Sequence, residues 1–323
     1  MNFLKPYISL IEGGIRDLKF PATPQTLYEP QSYILNNAGK RVRPTLTMLG
    51  CGICGEEIEK SLPAALAVEL LHNFTLIHDD IMDQAGSRRG EPTVHIKWDL
   101  ATAILSGDGM FVRAFHELQN LPDDTDFRWI NRVFVEGINK VCEGQALDME
   151  FEERSEVTAD EYMEMILGKT AALTAVSLQI GGIVAKASKS DVEKLGLIGN
   201  SLGVAFQIQD DYLDVFADQE KFGKKRGGDI YEGKKTFLMV STLDRCAPEE
   251  KEWLIRTLQT RPLSEESVKR VMELYDKYDV ATSAGNLLEH HYQKAIKTLE
   301  TFDESNYKED LRKLINFLKN REY

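Results

Sequence analysis

The feature that most constrains this chain is a pair of aspartate clusters with identical spacing. The sequences DDIMD and DDYLD occupy residues 79–83 and 210–214, each within apolar sequence that favours a helix. An α-helix turns by about 100° per residue, so the three aspartates of such a cluster share one face. Like charges in this arrangement destabilise an isolated helix by roughly 0.2–0.5 kcal/mol per pair. Each helix therefore needs a positive partner, and oxygen-only ligands favour magnesium together with phosphate groups.

A solvated acidic helix face is the alternative interpretation of one such cluster. Two matched clusters disfavour it, because both have apolar neighbours: Leu76 and Ile77 before the first, Phe206 and Ile208 before the second. The pattern predicts a magnesium diphosphate held between two helices.

Composition and charge exclude several classes of protein. The 323 residues are 42% hydrophobic and 28% charged, which is typical of a soluble globular protein with a sizeable core. The net charge of −13 argues against a nucleic-acid partner, since such proteins carry a basic surface. No apolar run approaches the roughly 18–20 residues of a membrane span, and the N-terminus lacks the pattern of a signal peptide. A cytoplasmic protein without stable membrane insertion is expected. Cys51 and Cys54 form a lone CxxC and are interpreted as ordinary buried thiols.

The chain as a whole predicts an all-α protein. Strand-like alternation is nearly absent, and only Pro122 interrupts the stretch from Pro92 to Pro248. Because no linker divides the sequence, one domain over residues 1–323 is expected. Helix starts are predicted at Thr23-Pro24 and at the capping boxes Thr158–Glu161 and Ser190–Glu193. The predicted helices are 3–18, 25–37, 43–54, 61–84, 93–105, 108–120, 126–151, 159–186, 190–217, 234–245, 249–259, 265–278, 281–301 and 306–320.

Three basic groups stand out in this acidic chain. They are GKRVRP at 39–44, SRRGEPTVH at 87–95 and a glycine-rich segment at 219–236 that ends in Lys-Lys-Thr. Each is a candidate phosphate-binding site, with ordinary surface charge as the alternative. The triplet Gly168-Lys169-Thr170 is not a P-loop, because Met163 stands where the first glycine is required. Lys169 and Thr170 are instead candidate pocket residues within an apolar helix, and Gln207 is either a pocket residue or a satisfied core amide.

Taken together, the motifs resemble those of the trans-isoprenyl diphosphate synthases, also called polyprenyl synthetases. GKRVRP, HNFTLIHDDIMD, RRGEPTVH, GKT, FQIQDDYLD and GKKRGGDIYEGKKT occur in the order and approximate spacing of that family, across most of the chain. One departure is Ala38, where the family usually has a second glycine. The resemblance implies a single large helical bundle of the isoprenoid synthase type around a central cavity, and a homodimer.

The resemblance also implies roles for individual residues. Isopentenyl diphosphate would be bound by Lys40, Arg43, His72 and Arg89, and the allylic diphosphate by Arg88, Lys169, Lys224 and Lys234. Asp79, Asp83 and Asp210 would be the leading ligands of magnesium, with three ions per active site, and Asp80, Asp211 and Asp214 would support them. Thr170 and Gln207 would line the reacting centre. The implied allylic substrates are dimethylallyl, geranyl and farnesyl diphosphates.

Product length is expected to depend on the residues just before the first aspartate cluster. Phe74 and Thr75 are the fifth and fourth residues upstream of that cluster. One aromatic residue beside a small one resembles enzymes that make C20 geranylgeranyl diphosphate, with C15 farnesyl diphosphate as the alternative. A class I terpene cyclase is disfavoured because its second metal motif mixes Asn, Ser or Thr, and Glu. A non-catalytic regulatory subunit is disfavoured because no motif residue is missing.

Overall fold

The computed structural model describes residues 2–37, 39–217 and 226–320. Two compact units are present, and each draws on three stretches of the chain. The first unit consists of Met1–Val133, Ser177–Leu195 and Phe302–Leu311, and the second of Phe134–Val176, Gly196–Thr301 and Arg312–Tyr323. The single domain expected over residues 1–323 stays a prediction.

The first unit is built around one apolar helix. Its helices are α1 (Lys5–Asp17), α2 (Gln25–Asn36), α3 (Val42–Ile53), α4 (Leu62–Met82), α5 (Val94–Lys97) and α6 (Leu100–Leu118), with 3₁₀ turns at Asn2–Leu4 and Ile58–Ser61. Helix α4 is buried along most of its length because it packs against α1, α3 and α6. A Cβ at Gly107 of α6 would lie 2.4 Å from Nε2 of His78, so glycine is needed for the close contact of α4 and α6.

A short hairpin follows α4 and is the only sheet in the described part of the chain. Strands β1 (Ser87–Arg88) and β2 (Glu91–Pro92) pair in antiparallel fashion. Both linking residues have positive φ, 56° at Arg89 and 83° at Gly90, as a tight two-residue hairpin turn requires. The backbone geometry of this hairpin therefore fixes the positions from which the side chains of both arginines in the RRG motif project.

The second unit has a core centred on a short buried helix. Its helices are α7 (Phe127–Glu153), α8 (Ala159–Ile166), a π-helical segment (Leu167–Ala171), α9 (Ala172–Val184), α10 (Lys189–Phe216), α11 (Gly228–Tyr231), α12 (Phe237–Arg245), α13 (Pro248–Leu258), α14 (Glu265–Lys277), α15 (Val280–Leu299) and α16 (Asn306–Lys319). Helices α7, α9, α10 and α16 contribute residues to both units. Residues 237–243 of α12 are all buried, and α8, α14 and α15 pack around them.

The all-α prediction is confirmed, but several helix boundaries were wrong. The break predicted at residues 106–107 lies at Trp98–Asp99, because the Asp99 side chain accepts a hydrogen bond from the amide of Thr102 and starts α6 there. The cap predicted at Ser190 belongs to Ser188, whose hydroxyl accepts from the amide of Asp191 at 3.1 Å. Pro24 has extended backbone angles and is itself the N-cap of α2, so Thr23 does not cap this helix. The Thr158–Glu161 capping box is confirmed.

One continuous helical run is more apolar than the sequence analysis allowed. Residues Ala159–Val184 span 26 residues and have the length and composition of a membrane-crossing helix. The most apolar 18-residue window of this run is 72% buried inside the protein. A single helix covered to this extent is typical of a protein core, because a membrane span would present its apolar side chains to lipid.

Candidate active site

The first aspartate cluster closes helix α4. Asp79 and Asp80 lie in its last turn, and Asp83 is the C-cap residue, whose amide donates to the carbonyl of Asp79 at 2.8 Å. The three carboxylates differ in exposure: Asp80 is buried, Asp79 is half-buried and Asp83 is exposed. A helix explains this difference, since the second aspartate lies about 100° around the axis from the first, whereas the third returns to within about 40° of it.

Arg88 neutralises the buried carboxylate of the first cluster. Its Nε and Nη2 atoms lie 2.8 Å and 2.7 Å from Oδ1 of Asp80. The other carboxylate oxygen, Oδ2, is buried and accepts no hydrogen bond from the described residues. Arg88, which the resemblance assigns to the allylic diphosphate, therefore already has a fixed carboxylate partner. The buried Oδ2 of Asp80 still lacks a hydrogen-bond donor among the described residues.

A group of cationic side chains lies on the same unit. Nη1 of Arg43 is 3.1 Å from Nε2 of His72, so the histidine nitrogen acts as the acceptor. Burial, reinforced by Arg43 and Arg89, holds the pKa of His72 well below its usual range. The ring is therefore neutral at pH 7. Burial lowers the pKa of Arg43 also, and Arg89 adds to this effect. Crowded cations with a neutral histidine form a site suited to a polyphosphate anion.

The other two predicted members of this group lie at its edge. Arg89 is exposed, and its Nη1 donates to the backbone carbonyl of Asn37 at 3.2 Å. A Cβ at Gly39 would lie 3.1 Å from Nη1 of Arg89, so the glycine makes room for the arginine side chain. Lys40 is exposed in the loop before α3, and Ala38 lies outside the described residues.

An ion-paired group centred on the buried Arg41 holds the GKRVRP loop, and the sequence alone does not indicate it. Arg41 has positive φ and is 3% exposed, and its Nε and Nη1 lie 2.7 Å and 2.5 Å from carboxylate oxygens of Glu12 and Glu69. Its Nη2 donates to the carbonyl of Leu35 at 2.7 Å. The spacing of the motif does not distinguish Arg41 from Arg43. Only the folded chain shows which arginine side chain forms the buried ion pairs.

A ladder of aromatic rings begins at Phe74. The ring centroid of Phe74 is 4.7 Å from that of His78 and 5.3 Å from that of Phe111 on α6, and Phe115 lies a further 5.2 Å from Phe111. Thr75 is half-buried and donates to the carbonyl of His72 at 2.8 Å. The sequence identified Phe74 and Thr75 but not the two rings of α6, which are neighbours only in the folded chain.

In the second unit, a π-helical segment carries the GKT motif. Its glycine packs on α7, where a Cβ at Gly168 would lie 2.6 Å from the carbonyl oxygen of Lys140. From the opposite side of this contact, a Cβ at Gly144 would lie 2.1 Å from the amide nitrogen of Lys169. A π-turn widens the helix by one residue and is frequently found at functional sites. The extra residue here falls where Lys169 and Thr170 leave the backbone.

Lys169 and Thr170 each have a polar partner. The ammonium of Lys169 forms a short ion pair with Asp148 of α7. The hydroxyl of Thr170 donates to Oε1 of Gln207 at 3.0 Å, and Nε2 of Gln207 donates to Oδ1 of Asp211 at 3.1 Å. The side chain of Gln207 is therefore satisfied at both its oxygen and its nitrogen, and it links the GKT motif to the second aspartate cluster.

Asp211 is the buried member of the second cluster, as Asp80 is of the first. Its Oδ2 accepts from the hydroxyl of Tyr162 at 2.5 Å and from the amide of Phe237 at 3.0 Å. Burial, with a smaller contribution from Asp229, raises the pKa of Asp211 to about 7. Burial and Asp211 likewise raise the pKa of Tyr162 well above its usual range, so the phenol stays protonated and acts as the donor.

The outer members of the second cluster are half-buried. Asp210 and Asp214 lie on α10, and Oδ2 of Asp214 accepts from the amide of Asp229 at 3.1 Å. Lys234 lies 2.7 Å from Glu232 and 3.6 Å from Asp229, so this predicted diphosphate ligand also has acidic neighbours. Lys224 lies outside the described residues.

The donor set fits a magnesium ion that shares a diphosphate. Across residues 2–37, 39–217 and 226–320, no group of three or more His, Cys, Asp or Glu side chains converges to hold a metal. Magnesium normally keeps several waters and uses one or two carboxylates plus substrate phosphates. The exposed carboxylate of Asp83 suits this coordination, whereas a site made of protein ligands alone is not present in these residues.

Comparisons with known proteins agree with this arrangement. The polyprenyl synthetase family model matches residues 24–275. A short chain isoprenyl diphosphate synthase of Methanothermobacter thermautotrophicus is 39% identical over 323 residues, which cover 100% of this chain and 99% of that protein. A geranylgeranyl diphosphate synthase of Sulfolobus acidocaldarius is 38% identical, covering 93% of this chain and 92% of that protein. The crystal structure of geranylgeranyl pyrophosphate synthetase from Pyrococcus horikoshii superposes with a TM-score of 0.93 at 36% identity, covering 99% and 98% of the two chains.

The matches extend over nearly the whole chain at identities well above those that indicate a shared fold alone. The predicted all-α fold of the isoprenoid synthases and the predicted class of prenyltransferase are thereby confirmed. The chain belongs to the polyprenyl synthetase family.

Proposed function

We propose that this protein condenses isopentenyl diphosphate head to tail with allylic diphosphates and releases geranylgeranyl diphosphate. The observation that carries the proposal is the presence of two different kinds of diphosphate-binding chemistry in one chain. One is the cationic group of Arg43, His72 and Arg89, and the other is the pair of aspartate clusters with their lysines and Arg88. A condensation of two diphosphates needs both, whereas a terpene cyclase needs only one.

The cationic group of the first unit is the proposed site for isopentenyl diphosphate. This substrate keeps its diphosphate during the reaction, so its site needs charge and hydrogen-bond donors without a metal. Arg43 and Arg89 supply planar donor groups that match phosphate oxygens. Because His72 is neutral, it accepts from Arg43 and orients the guanidinium. Lys40, exposed beside them, adds a mobile positive charge.

The aspartate clusters are the proposed site for magnesium and the allylic diphosphate. Asp79, Asp83 and Asp210 are the proposed direct ligands of three magnesium ions, and Asp80, Asp211 and Asp214 support the cations and donors around them. Lys169, Lys224, Lys234 and Arg88 are the proposed partners of the allylic phosphates. Several of these cations are paired with acids in the structure, which orients their side chains before substrate arrives.

The proposed mechanism is electrostatic. When bound, magnesium supplies positive charge that stabilises the departing diphosphate. The bond between C1 and oxygen of the allylic diphosphate breaks, and its electron pair leaves with the diphosphate. The double bond of isopentenyl diphosphate then attacks, so that its C4 bonds to C1 of the allylic cation and the positive charge moves to C3. A proton leaves C2 to the released diphosphate, and the C–H electron pair forms the new double bond. The hydroxyl of Thr170 donates to the side-chain oxygen of Gln207, and the side-chain amide of Gln207 donates to Asp211. These hydrogen bonds fix Thr170 and Gln207, which are the proposed dipoles beside the allylic cation.

A C20 product is proposed because of the aromatic ladder. The side chains of Phe74, Phe111 and Phe115 form a continuous wall within the first unit, next to the first aspartate cluster. Such a wall limits how far a growing prenyl tail extends. Relatives named as geranylgeranyl diphosphate synthases support C20 over the alternative C15 product.

The direct test is a product analysis. Purified protein is incubated with Mg²⁺, isopentenyl diphosphate and each allylic starter from C5 to C15, and the products are identified by mass spectrometry. A discrete C20 product from every starter is expected. A discrete C15 end product would correct the proposed chain length and leave the proposed reaction unchanged. Consumption of allylic diphosphate in the absence of isopentenyl diphosphate would instead indicate a cyclase. The absence of any product with every starter would indicate a regulatory subunit. An Asp79→Asn variant is the inactive control.

We also propose a homodimer, with a second copy covering the outer face of α6. Leu100, Ile104, Leu105 and Val112 on this helix are between 41% and 66% exposed, and exposed apolar side chains clustered on one element are typical of a protein–protein interface. The pair of substitutions Leu105→Glu and Val112→Glu should shift the species measured by light scattering from dimer to monomer. Leu197→Glu, at an isolated exposed leucine of α10, is the matched control and should leave the dimer intact. A cytoplasmic location is part of the same proposal, and cell fractionation tests it.

A further inference from the structure

A small cavity in the second unit is formed by residues that the proposed reaction does not use. Its volume is about 310 Å³, near the lower end of the range for ligand-binding pockets. Helix α13 forms one wall through Ile255 and Leu258, and the end of α7 forms another. The polar lining consists of Glu152, Glu153, Arg154, Ser155, Lys235, Gln259 and Arg261.

Lys235 is the buried cation of this cavity. It is 8% exposed, and its ammonium donates to the backbone carbonyl of Phe151 at 2.6 Å. This hydrogen bond uses one of three N–H groups, and no second acceptor is bonded to it among the described residues. A buried ammonium with two N–H groups left over is costly unless a further acceptor reaches it.

The neighbouring charges increase this need for an anion. Burial, with Arg261 as the next cause and Arg154 as a lesser one, lowers the pKa of Lys235 to about 8. Glu152 and Glu153 act in the opposite direction, but both are exposed at the rim. Arg154 is already paired with Glu161 at 2.7 Å. Lys235 and Arg261 therefore face Glu152 and Glu153, and the one buried charge among these four is the cation of Lys235.

Arg261 lies at the mouth in a fixed position. Its Nε donates to the carbonyl of Leu258 at 3.2 Å, and its Nη1 is 3.5 Å from a carboxylate oxygen of Glu152. A Cβ at Gly233 would lie 2.9 Å from Nε of Arg261, so the positive-φ glycine makes space for this side chain. The arginine is therefore placed by the fold at the opening above Lys235.

We propose that this cavity binds a small phosphate-class anion, either inorganic phosphate or diphosphate, between Lys235 at its base and Arg261 at its mouth. The hydroxyl of Ser155 and the amide of Gln259 supply further donors on the lining. The apolar wall of Ile255 and Leu258 limits hydration of the bound anion, which strengthens each charged hydrogen bond. The volume accommodates one or two phosphate groups and excludes a prenyl tail of the length proposed for the product.

The test uses Lys235 itself as the reporter, so it does not depend on catalysis. Protein carrying ¹³Cε-labelled lysine is titrated with pH, and the Lys235 signal is assigned by its disappearance in Lys235→Arg. Without added anion the signal should titrate near pH 8. With inorganic phosphate or diphosphate present, the bound anion should raise this midpoint toward about 10.4, the ordinary value for lysine.

Two variants make the result specific to the cavity. Arg261→Gln should weaken the affinity for the anion, measured from the Lys235 signal, about tenfold. This change corresponds to about 1.4 kcal/mol and to the loss of one charged hydrogen bond. Arg256→Gln, on the exposed face of the same α13, should leave it unchanged, because Arg256 pairs with Glu252 outside the cavity. A response to diphosphate alone that Arg261→Gln also weakens would identify the reaction product as the ligand of this cavity, and a response to both anions would identify the phosphate group. A response to diphosphate that Arg261→Gln leaves unchanged would place that anion beside Lys234 and overturn the proposal. A Lys235 signal that neither anion moves would overturn the proposal.

Discussion

The close approach of the π-helical segment to α7 gives the sharpest prediction, through Gly168→Ala. A Cβ at this position would lie 2.6 Å from the carbonyl oxygen of Lys140 and 3.0 Å from the Cα of Gly144. Ordinary van der Waals contact begins at 3.4 Å, and the atoms met are backbone, so neither neighbour yields by a simple rotation. The π-helical segment must therefore shift by several tenths of an ångström and carry Lys169 and Thr170 with it.

The expected effect is worked from two opposing terms. Replacing glycine by alanine within a helix contributes about 0.5–1 kcal/mol of stability. Overpacking a tight contact costs about 1–3 kcal/mol. Gly168→Ala should thus be destabilised by up to about 2 kcal/mol net, measured by urea unfolding. Misplacement of reacting groups by about 1 Å lowers rates by about a hundredfold, so kcat should fall tenfold or more while KM for isopentenyl diphosphate stays near the native value.

The chain contains a matched control for this substitution. Gly285 lies in α15 of the same unit, and a Cβ there meets no atom within 4 Å. Gly285→Ala should therefore keep the native kcat and gain about 0.5–1 kcal/mol of stability. If Gly168→Ala matched Gly285→Ala in both stability and kcat, the close contact would not position the GKT motif, and the assigned roles of Lys169 and Thr170 would lose their structural basis.

Four further substitutions test other parts of the site. Phe74→Ala and Phe111→Ala should each lengthen the product beyond C20 by opening the aromatic wall, as read by mass spectrometry, and an unchanged product distribution would show that neither ring limits the tail. Glu69→Gln should cost roughly 3 kcal/mol in urea unfolding by leaving Arg41 with one carboxylate fewer, and should raise KM for isopentenyl diphosphate. In metal-free protein, the raised pKa of Asp211 means that its stability contribution is complete below about pH 4 and is lost as pH rises through about 7. Asp211→Asn should therefore flatten the pH dependence of the unfolding free energy across that window, and a slope equal to that of the native chain would show that Asp211 does not carry it.

Helices and motifs were readable from the sequence because both depend on local spacing. The features that were not readable depend on contacts between residues far apart in the chain. Gly168 and Gly144 touch across α7 and the π-helical segment, and nothing in either glycine's own neighbourhood indicates the other. The cap lies at Ser188 and not at Ser190, and there Asp191 both donates its amide hydrogen to the serine hydroxyl and accepts from that hydroxyl with its carboxylate.

The two aspartate clusters show which features of the site the local helical geometry determines. In both, rotation of about 100° turns the second aspartate away from the first and into the protein. Asp80 meets Arg88, whereas Asp211 meets Tyr162 and the amide of Phe237. The helical period therefore indicates which carboxylate is buried in each cluster, and it says nothing about the partner. Asp80 is paired with a guanidinium, whereas burial, with a smaller contribution from Asp229, raises the pKa of Asp211 to about 7 although its hydrogen-bond donors act in the opposite direction. Two clusters with the same spacing thus hold their buried carboxylates among different partners, and only the folded chain reveals the difference.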